Sequence, residues 1–287
     1  MSGRPEVTGF YHEDTFSIAY VAADPATGHA VIIDPVLDFD ERAARISTGF
    51  ADRMLDFVGD RGLSIDWIFD THPHADHFTA AHYLKEKLGA PTAIGEHVRD
   101  VQLLWRDIYN LPDLRVDGSQ FDKLFAEGET FRIGSIEGRV MFSPGHTLAS
   151  VTYAIGDAAF VHDTLFQPDF GTARTDFPGG SAEALYRSIQ AILALPDETR
   201  LFTGHDYRPG GREARWESTV GEQKRSNIHL KAAQGETEFV MLRQKRDAEL
   251  SMPRLILHAL QVNLMGGRLP APAANGRSYL KIPIGAL

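Results

Sequence analysis

Thr71-His72-Pro73-His74-Ala75-Asp76-His77 packs three imidazoles and a carboxylate into six consecutive positions, and the reading of the chain starts there. It follows directly on the β-branched and aromatic run Ile65 to Phe69, which reads as a strand, and precedes a helical pattern that starts near Phe78 and continues through Ala80 to Leu88. Side chains alternate along an extended loop, so His72 and His74 point the same way while Asp76 and His77 sit at the helix entrance. Crowded imidazole and carboxylate groups suit a divalent metal of borderline softness. The competing structural reading, in which Asp70 or Asp76 merely caps the helix, leaves three histidines unexplained.

Working outward, chemistry recurs wherever a predicted strand ends. Ser143-Pro144-Gly145-His146-Thr147 turns tightly after a strand ending at Phe142 and presents His146. The apolar run Phe160-Val161-His162-Asp163-Thr164 ends in Asp163, a carboxylate that is costly to bury unless paired or metal-bound. His162 points to the opposite face of that strand and reads as structural. Gly204-His205-Asp206-Tyr207 follows the strand Leu201 to Thr203. Two imidazoles and one carboxylate from separate loops can meet a metal on one face and leave positions open, which points to chemistry. His12, His29, His82, His97, His229 and His258 read as helical or tail residues without neighbouring partners.

The flanking elements define the fold class. Phe16 to Val21 and Ala30 to Ile33, around Asp24-Pro25-Ala26-Thr27-Gly28, read as a hairpin. Helical patterns run from about Ser47 to Gly59 and from Val98 to Tyr109, with a short strand at Thr92 to Ile94 between the later helices. Strands are expected at Thr130 to Ile133, Gly138 to Phe142, Val151 to Ile155, Ala159 to Val161 and Arg200 to Thr203, with a helix at Ala182 to Leu193. Two strand-rich stretches with helices around them predict an α/β protein, a four-layer αββα sandwich with two sheets face to face. Glu213 to His229 and Glu236 to Leu250 read as helices, and Arg268 to Leu287 as an extended tail. Residues 1–250 are expected to form the catalytic domain, with 251–287 as a C-terminal extension packed on it.

Bulk properties narrow the function. The 287 residues carry a formal net charge of −10, which disfavours nucleic acid and anionic lipid surfaces as partners. No apolar stretch approaches a membrane span or signal-peptide core, so a cytoplasmic location is expected. The chain has no cysteine. That excludes disulfides, zinc-thiolate sites and a cysteine nucleophile, and any sulfur chemistry must belong to the substrate.

Taken in order, Asp34, the His72 to His77 motif, His146, Asp163 and His205 resemble the metallo-β-lactamase superfamily. Asp163-Thr164-Leu165-Phe166, Arg174-Thr175-Asp176-Phe177-Pro178-Gly179-Gly180, Leu185-Tyr186-Arg187-Ser188 and His205-Asp206-Tyr207 resemble the persulfide dioxygenases within it, also called sulfur dioxygenases or ethylmalonic-encephalopathy-type proteins. Leu280-Lys281-Ile282-Pro283-Ile284 is similar to the tail of the bacterial β-lactamase hydrolase-like branch. This resemblance implies one Fe(II) per chain on His72, His146 and Asp163, the residues of the reaction, with Zn as an alternative occupant. It implies oxidation of glutathione persulfide by O2 to sulfite and glutathione. His74, Asp76, His77 and His205 would orient the ligands, or hold a second metal. Arg174 would pair a glutathione carboxylate unless it only braces its loop through Asp176, and Tyr207 would donate to the substrate. At Thr172-Ala173 the chain departs from the animal form, which has a cysteine near the arginine. A homodimer is a further expectation from the resemblance. Two other readings stay open: a binuclear thiolester hydrolase of the glyoxalase II type or a lactamase, and a non-catalytic metal or persulfide sensor on the same fold.

Overall fold

The computed structural model describes residues 3–286 and contains the expected layers. Strand β1 (Glu6–His12) pairs antiparallel with β2 (Ser17–Ala23), and β2 with β3 (His29–Ile33), across the expected turn. Asp24 builds that turn by accepting from the Ala26 N–H at 3.0 Å and the Thr27 hydroxyl at 2.8 Å. The first sheet continues in parallel through β6 (Ser64–Phe69), β8 (Thr92–Gly95) and β9 (Lys123–Phe125). The second sheet runs β10 (Thr130–Ile133), β11 (Ile136–Phe142), β12 (Val151–Ile155), β13 (Ala158–His162), β14 (Arg200–Thr203) and β15 (Glu217–Thr219).

Strand periodicity explains why two sheets must stack. Along β2, Ile18, Tyr20 and Ala22 face one way and Ala19 and Val21 the other, and all are buried. The inner set meets Tyr153, Phe160 and Phe202 of the second sheet, with Phe69 stacked on Tyr153 at 4.4 Å between ring centres. The outer set is covered by α1 (Gly49–Asp60) and α2 (Ala81–Leu88) through Met54, Val58 and Leu84. On the far side, α4 (Ala182–Leu193) covers Ala159, Val161 and Leu201 with Leu185, Ile189 and Ile192. Full burial of each such side chain contributes about 1.5–3 kcal/mol.

Several elements differ from expectation. Phe78–Thr79 forms a two-residue strand, β7, against β4 (Val36–Asp40), and the helix starts only at Ala81. With β5 (Arg45–Ser47) these make a small third sheet. The single helix expected over Glu213 to His229 is broken into β15, α5 (Val220–Ser226) and α6 (Ile228–Ala232). Asn227 causes the break: its extended backbone ends α5, and its side chain accepts from the His229 and Leu230 N–H groups to begin α6. Helix α3 (Val98–Ile108) matches its pattern, and α7 (Glu236–Asp247) is shorter than expected.

A further helix, α8 (Ile256–Asn263), was not expected. It packs Ile256 and Leu260 beside Trp105 and Tyr109, and Ala259 and Val262 beneath the first sheet. From Arg268 to Ala286 there is no helix or strand, as expected for the tail, whose last residue Leu287 lies outside the described residues, as do Met1 and Ser2. No helix among the described residues is long and apolar enough to cross a membrane.

Candidate metal centre

His72, His146 and Asp163 come from three loops, after β6, β11 and β13, and offer ligand atoms that all lie within 4.8 Å of one another. All three are buried. Their orientation follows from hydrogen bonds outside the centre. The Thr71 hydroxyl donates to Asp34 at 2.8 Å and is therefore left to accept from His72 Nδ1 at 3.0 Å. His146 Nδ1 donates to the Arg174 carbonyl at 2.9 Å. Both imidazoles are thus fixed with Nδ1 protonated and the Nε2 lone pair free, the state a metal ligand needs. Burial, reinforced for His72 by the neighbouring imidazoles, holds both below the ordinary histidine pKa.

Two glycines admit this geometry. Gly145 has φ +139°, and a Cβ there would lie 2.3 Å from the Leu185 nitrogen, so the turn carrying His146 packs flush on α4. At Gly204 a Cβ would lie 2.5 Å from Asp163 Oδ1. The two sheets are also tied here, where the Ile18 N–H donates to the Gly204 carbonyl at 2.8 Å.

The remaining histidines of the motif are arranged around carboxylates. His74 Nε2 donates to Asp34 at 2.9 Å. Burial opposes its protonation, but the Asp34 charge and hydrogen bond prevail and raise its pKa to about 9. Asp76 accepts from the Ser17 hydroxyl at 2.8 Å and from His77 Nδ1 at 2.9 Å, and lies 3.4 Å from His205 Nε2. His205 is also 3.4 Å from Asp163. Burial disfavours a charged His205, yet Asp163 and Asp76 together raise its pKa well above the ordinary value. Burial pushes Asp163 up, but His205 and His146 bring it down to about 2.

His72 Nε2, His74 Nδ1, His77 Nε2, Asp163 Oδ1 and His205 Nδ1 are buried without a hydrogen-bond partner. Such a concentration of unsatisfied nitrogen and oxygen donors is what a bound divalent cation relieves. Asp76, Asp163 and His205 form a second group of ligand distance, as do His74, Asp76 and His77. His162 lies beneath His72, with 5.1 Å between ring centres, and its Nε2 meets the Ser143 and Thr164 hydroxyls.

A cavity of about 460 Å³ opens onto Asp76, His146, Asp163 and His205. Its walls are aromatic: Phe170 lies 4.8 Å from Tyr207, which stacks on His205 at 5.4 Å. Arg174 reaches the cavity, but both oxygens of Asp176 and the Ser251 carbonyl engage its guanidinium. Arg243 is likewise held by Asp247 and by the Thr172 carbonyl. Arg246, on α7 above the Phe170 ring, has no carboxylate partner among the described residues. Nothing in the α7 sequence separated it from an ordinary solvated helix face. The other histidines are not all as expected: His12 and His29 lie on strands, and face Asp38 at 3.1 Å and Asp66 at 2.6 Å.

Residues 14–205 match the family model of the metallo-beta-lactamase superfamily. A beta-lactamase hydrolase-like protein of Xylella fastidiosa is 66% identical over 99% of this chain, which spans 65% of that protein's length. Glyoxylase B2 of Dictyostelium discoideum is 43% identical over 100% of the chain and 99% of its own length. The mitochondrial persulfide dioxygenase ETHE1 of Bos taurus is 30% identical, with 95% and 93% covered. The crystal structure of ETHE1 from Myxococcus xanthus superposes with a TM-score of 0.74 at 30% identity, over 92% of this chain and all of that one.

Proposed function

The chain belongs to the metallo-beta-lactamase superfamily, and from that premise we propose that it is an Fe(II)-dependent persulfide dioxygenase acting on glutathione persulfide and O2. The observation that carries the proposal is the group His72, His146 and Asp163, two imidazoles with free Nε2 lone pairs and one carboxylate. That donor set suits a single Fe(II) with open positions, and Zn fits the same donors. Similarity to named persulfide dioxygenases over nearly the whole chain supports the reading.

When bound, the iron supplies a site where persulfide sulfur and O2 meet and exchange electrons. The overall change balances as glutathione persulfide plus O2 plus water giving glutathione, sulfite and two protons, the outer sulfur losing four electrons to O2. The protein's part is to bind, orient and exclude water. Thr71 and the Arg174 carbonyl hold the His72 and His146 rings. His74, Asp76, His77 and His205 form the surrounding charge network, and Phe166, Phe170 and Phe177 make an apolar wall beside it. Arg246 receives a substrate carboxylate, with Tyr207 facing the same cavity, while Arg174 and Asp176 brace the loop that carries the His146 contact.

A binuclear thiolester hydrolase is the second reading. It is favoured by the grouping of Asp76, Asp163 and His205 and by the name of the Dictyostelium relative. Against it stands the similarity to named persulfide dioxygenases over nearly the whole chain. Anaerobic purification with metal counting, then parallel assays of oxygen uptake with glutathione persulfide and hydrolysis of S-lactoylglutathione, tests both. One iron and persulfide-dependent oxygen uptake are expected. Two metals with thioester hydrolysis would overturn the proposal, and metal binding without turnover would favour a sensor.

A further inference from the structure

A second cavity of about 190 Å³ lies behind the reaction cavity, and the two share Asp14, Thr15 and Arg254 as a common wall. Thr15 carries a hydrogen-bonded chain through that wall. Its hydroxyl is 2.7 Å from the Ser17 hydroxyl on one side and 2.8 Å from His12 Nδ1 on the other. His12 Nε2 lies 3.1 Å from Asp38, whose side chain is 28% exposed and lines the second cavity. On the inner side Ser17 is anchored by donating to Asp76 at 2.8 Å, and the hydroxyl of Thr15, which itself lines the reaction cavity, is the point of entry for a proton.

We propose that His12, through Thr15, is a proton exit from the reaction cavity to the solvent-facing cavity beside Asp38. Hydroxyls and an imidazole in contact can each accept one proton while releasing another. A proton entering at Thr15 passes to His12 Nδ1 as the Nε2 proton leaves toward Asp38 and water. His12 is enclosed by Asp38 on β4, by Thr15, and by the Phe50 ring of α1 at 5.0 Å. Asp14, Asp40 and Arg254 are the other charged groups on the second cavity's wall, and Arg254 is paired with Glu41 at 3.2 Å. The acidic lining favours departure of a cation toward this side. Among the described residues the His12 ring hydrogen-bonds to Thr15 and Asp38 and to no candidate metal ligand, so it is expected to act on turnover and not on metal loading.

The proposal rests on the preceding reading only in requiring a reaction that releases protons, which persulfide oxidation and thiolester hydrolysis both do. His12→Gln keeps hydrogen-bonding groups without a titratable ring, and His12→Ala opens space for added imidazole. With the metal-loaded protein and whichever of the two substrates it turns over, kcat is expected to fall about tenfold or more at unchanged KM. The kcat ratio between H2O and D2O should rise, and imidazole should restore His12→Ala but leave the native protein unaffected. Native kcat in both variants overturns the proposal, as does a loss with unchanged isotope ratio and no rescue, which marks His12 as a brace. If the native protein turns over neither substrate, the functional reading fails separately. The relay is then decided on metal-free protein by hydroxyl hydrogen exchange at Thr15, measured by NMR. Faster exchange in the native chain than in His12→Gln supports it, and equal rates overturn it.

Discussion

Asn263, near the end of the chain, donates from its side-chain amide to the carbonyl of His77 at 2.8 Å. The same amide reaches the His74 carbonyl at 2.8 Å, and its oxygen accepts from the Thr79 N–H at 2.9 Å. Three backbone groups of the metal-motif loop therefore depend on one residue of α8. Replacing Asn263 by Ala leaves them buried and unpaired, at a cost of about 1–3 kcal/mol. The Tm should fall and metal affinity should drop about 10–100-fold, read by calorimetry and metal titration. Native metal affinity in the folded variant would refute this coupling.

Metal counting separates the proposed ligands from the residues proposed to surround them. His72→Ala, His146→Ala and Asp163→Asn should each abolish tight binding of iron, whereas His205→Ala should retain one metal per chain. Loss of all metal from His205→Ala would place that residue among the ligands of a shared binuclear centre.

Arg246→Ala should raise KM for a glutathione-linked substrate about tenfold with little change in kcat, the expected loss of one charge-assisted hydrogen bond. Arg174→Ala should act through stability, because its guanidinium is already engaged by Asp176 and Ser251. A larger KM effect at Arg174 than at Arg246 would reverse the assignment.

His229 supplies a pH prediction. Burial, aided by Arg243 and Arg246, lowers its pKa from 6.5 to about 4, and its Nδ1 accepts from the Thr172 N–H at 3.0 Å. The unfolded state takes up a proton below pH 6.5 that the folded state refuses until about pH 4, so this contribution is full above 6.5 and is lost between those values. A loss on the order of 3 kcal/mol is expected across this window. Denaturant titrations of the native chain and His229→Gln should show the variant with a shallower decline, and parallel curves would contradict it.

Legibility in the sequence followed physical range. Strands with several alternating apolar residues, such as β2 and β12, and helices with a continuous apolar stripe, such as α4, carried their own pattern. β7 and β15, two and three residues long, exist only because a distant strand supplies partners. The motif showed which residues crowd together, but not which lone pairs stay free. That depends on hydrogen bonds from Thr71 to Asp34, from His72 to Thr71 and from His146 to the Arg174 carbonyl, and no spacing of residue types displays those contacts. Asn263 and Thr15 gave no signal because their significance lies wholly in what they touch.

His72 follows a strand of the first sheet, while His146 and Asp163 follow strands of the second. Metal capture on the proposed triad therefore has to await emergence of Asp163 from the ribosome and closure of the sheets upon each other. For a newly made chain, acquiring the metal on the proposed triad would become a checkpoint on tertiary assembly: an unloaded molecule is either starved of metal or has yet to finish folding.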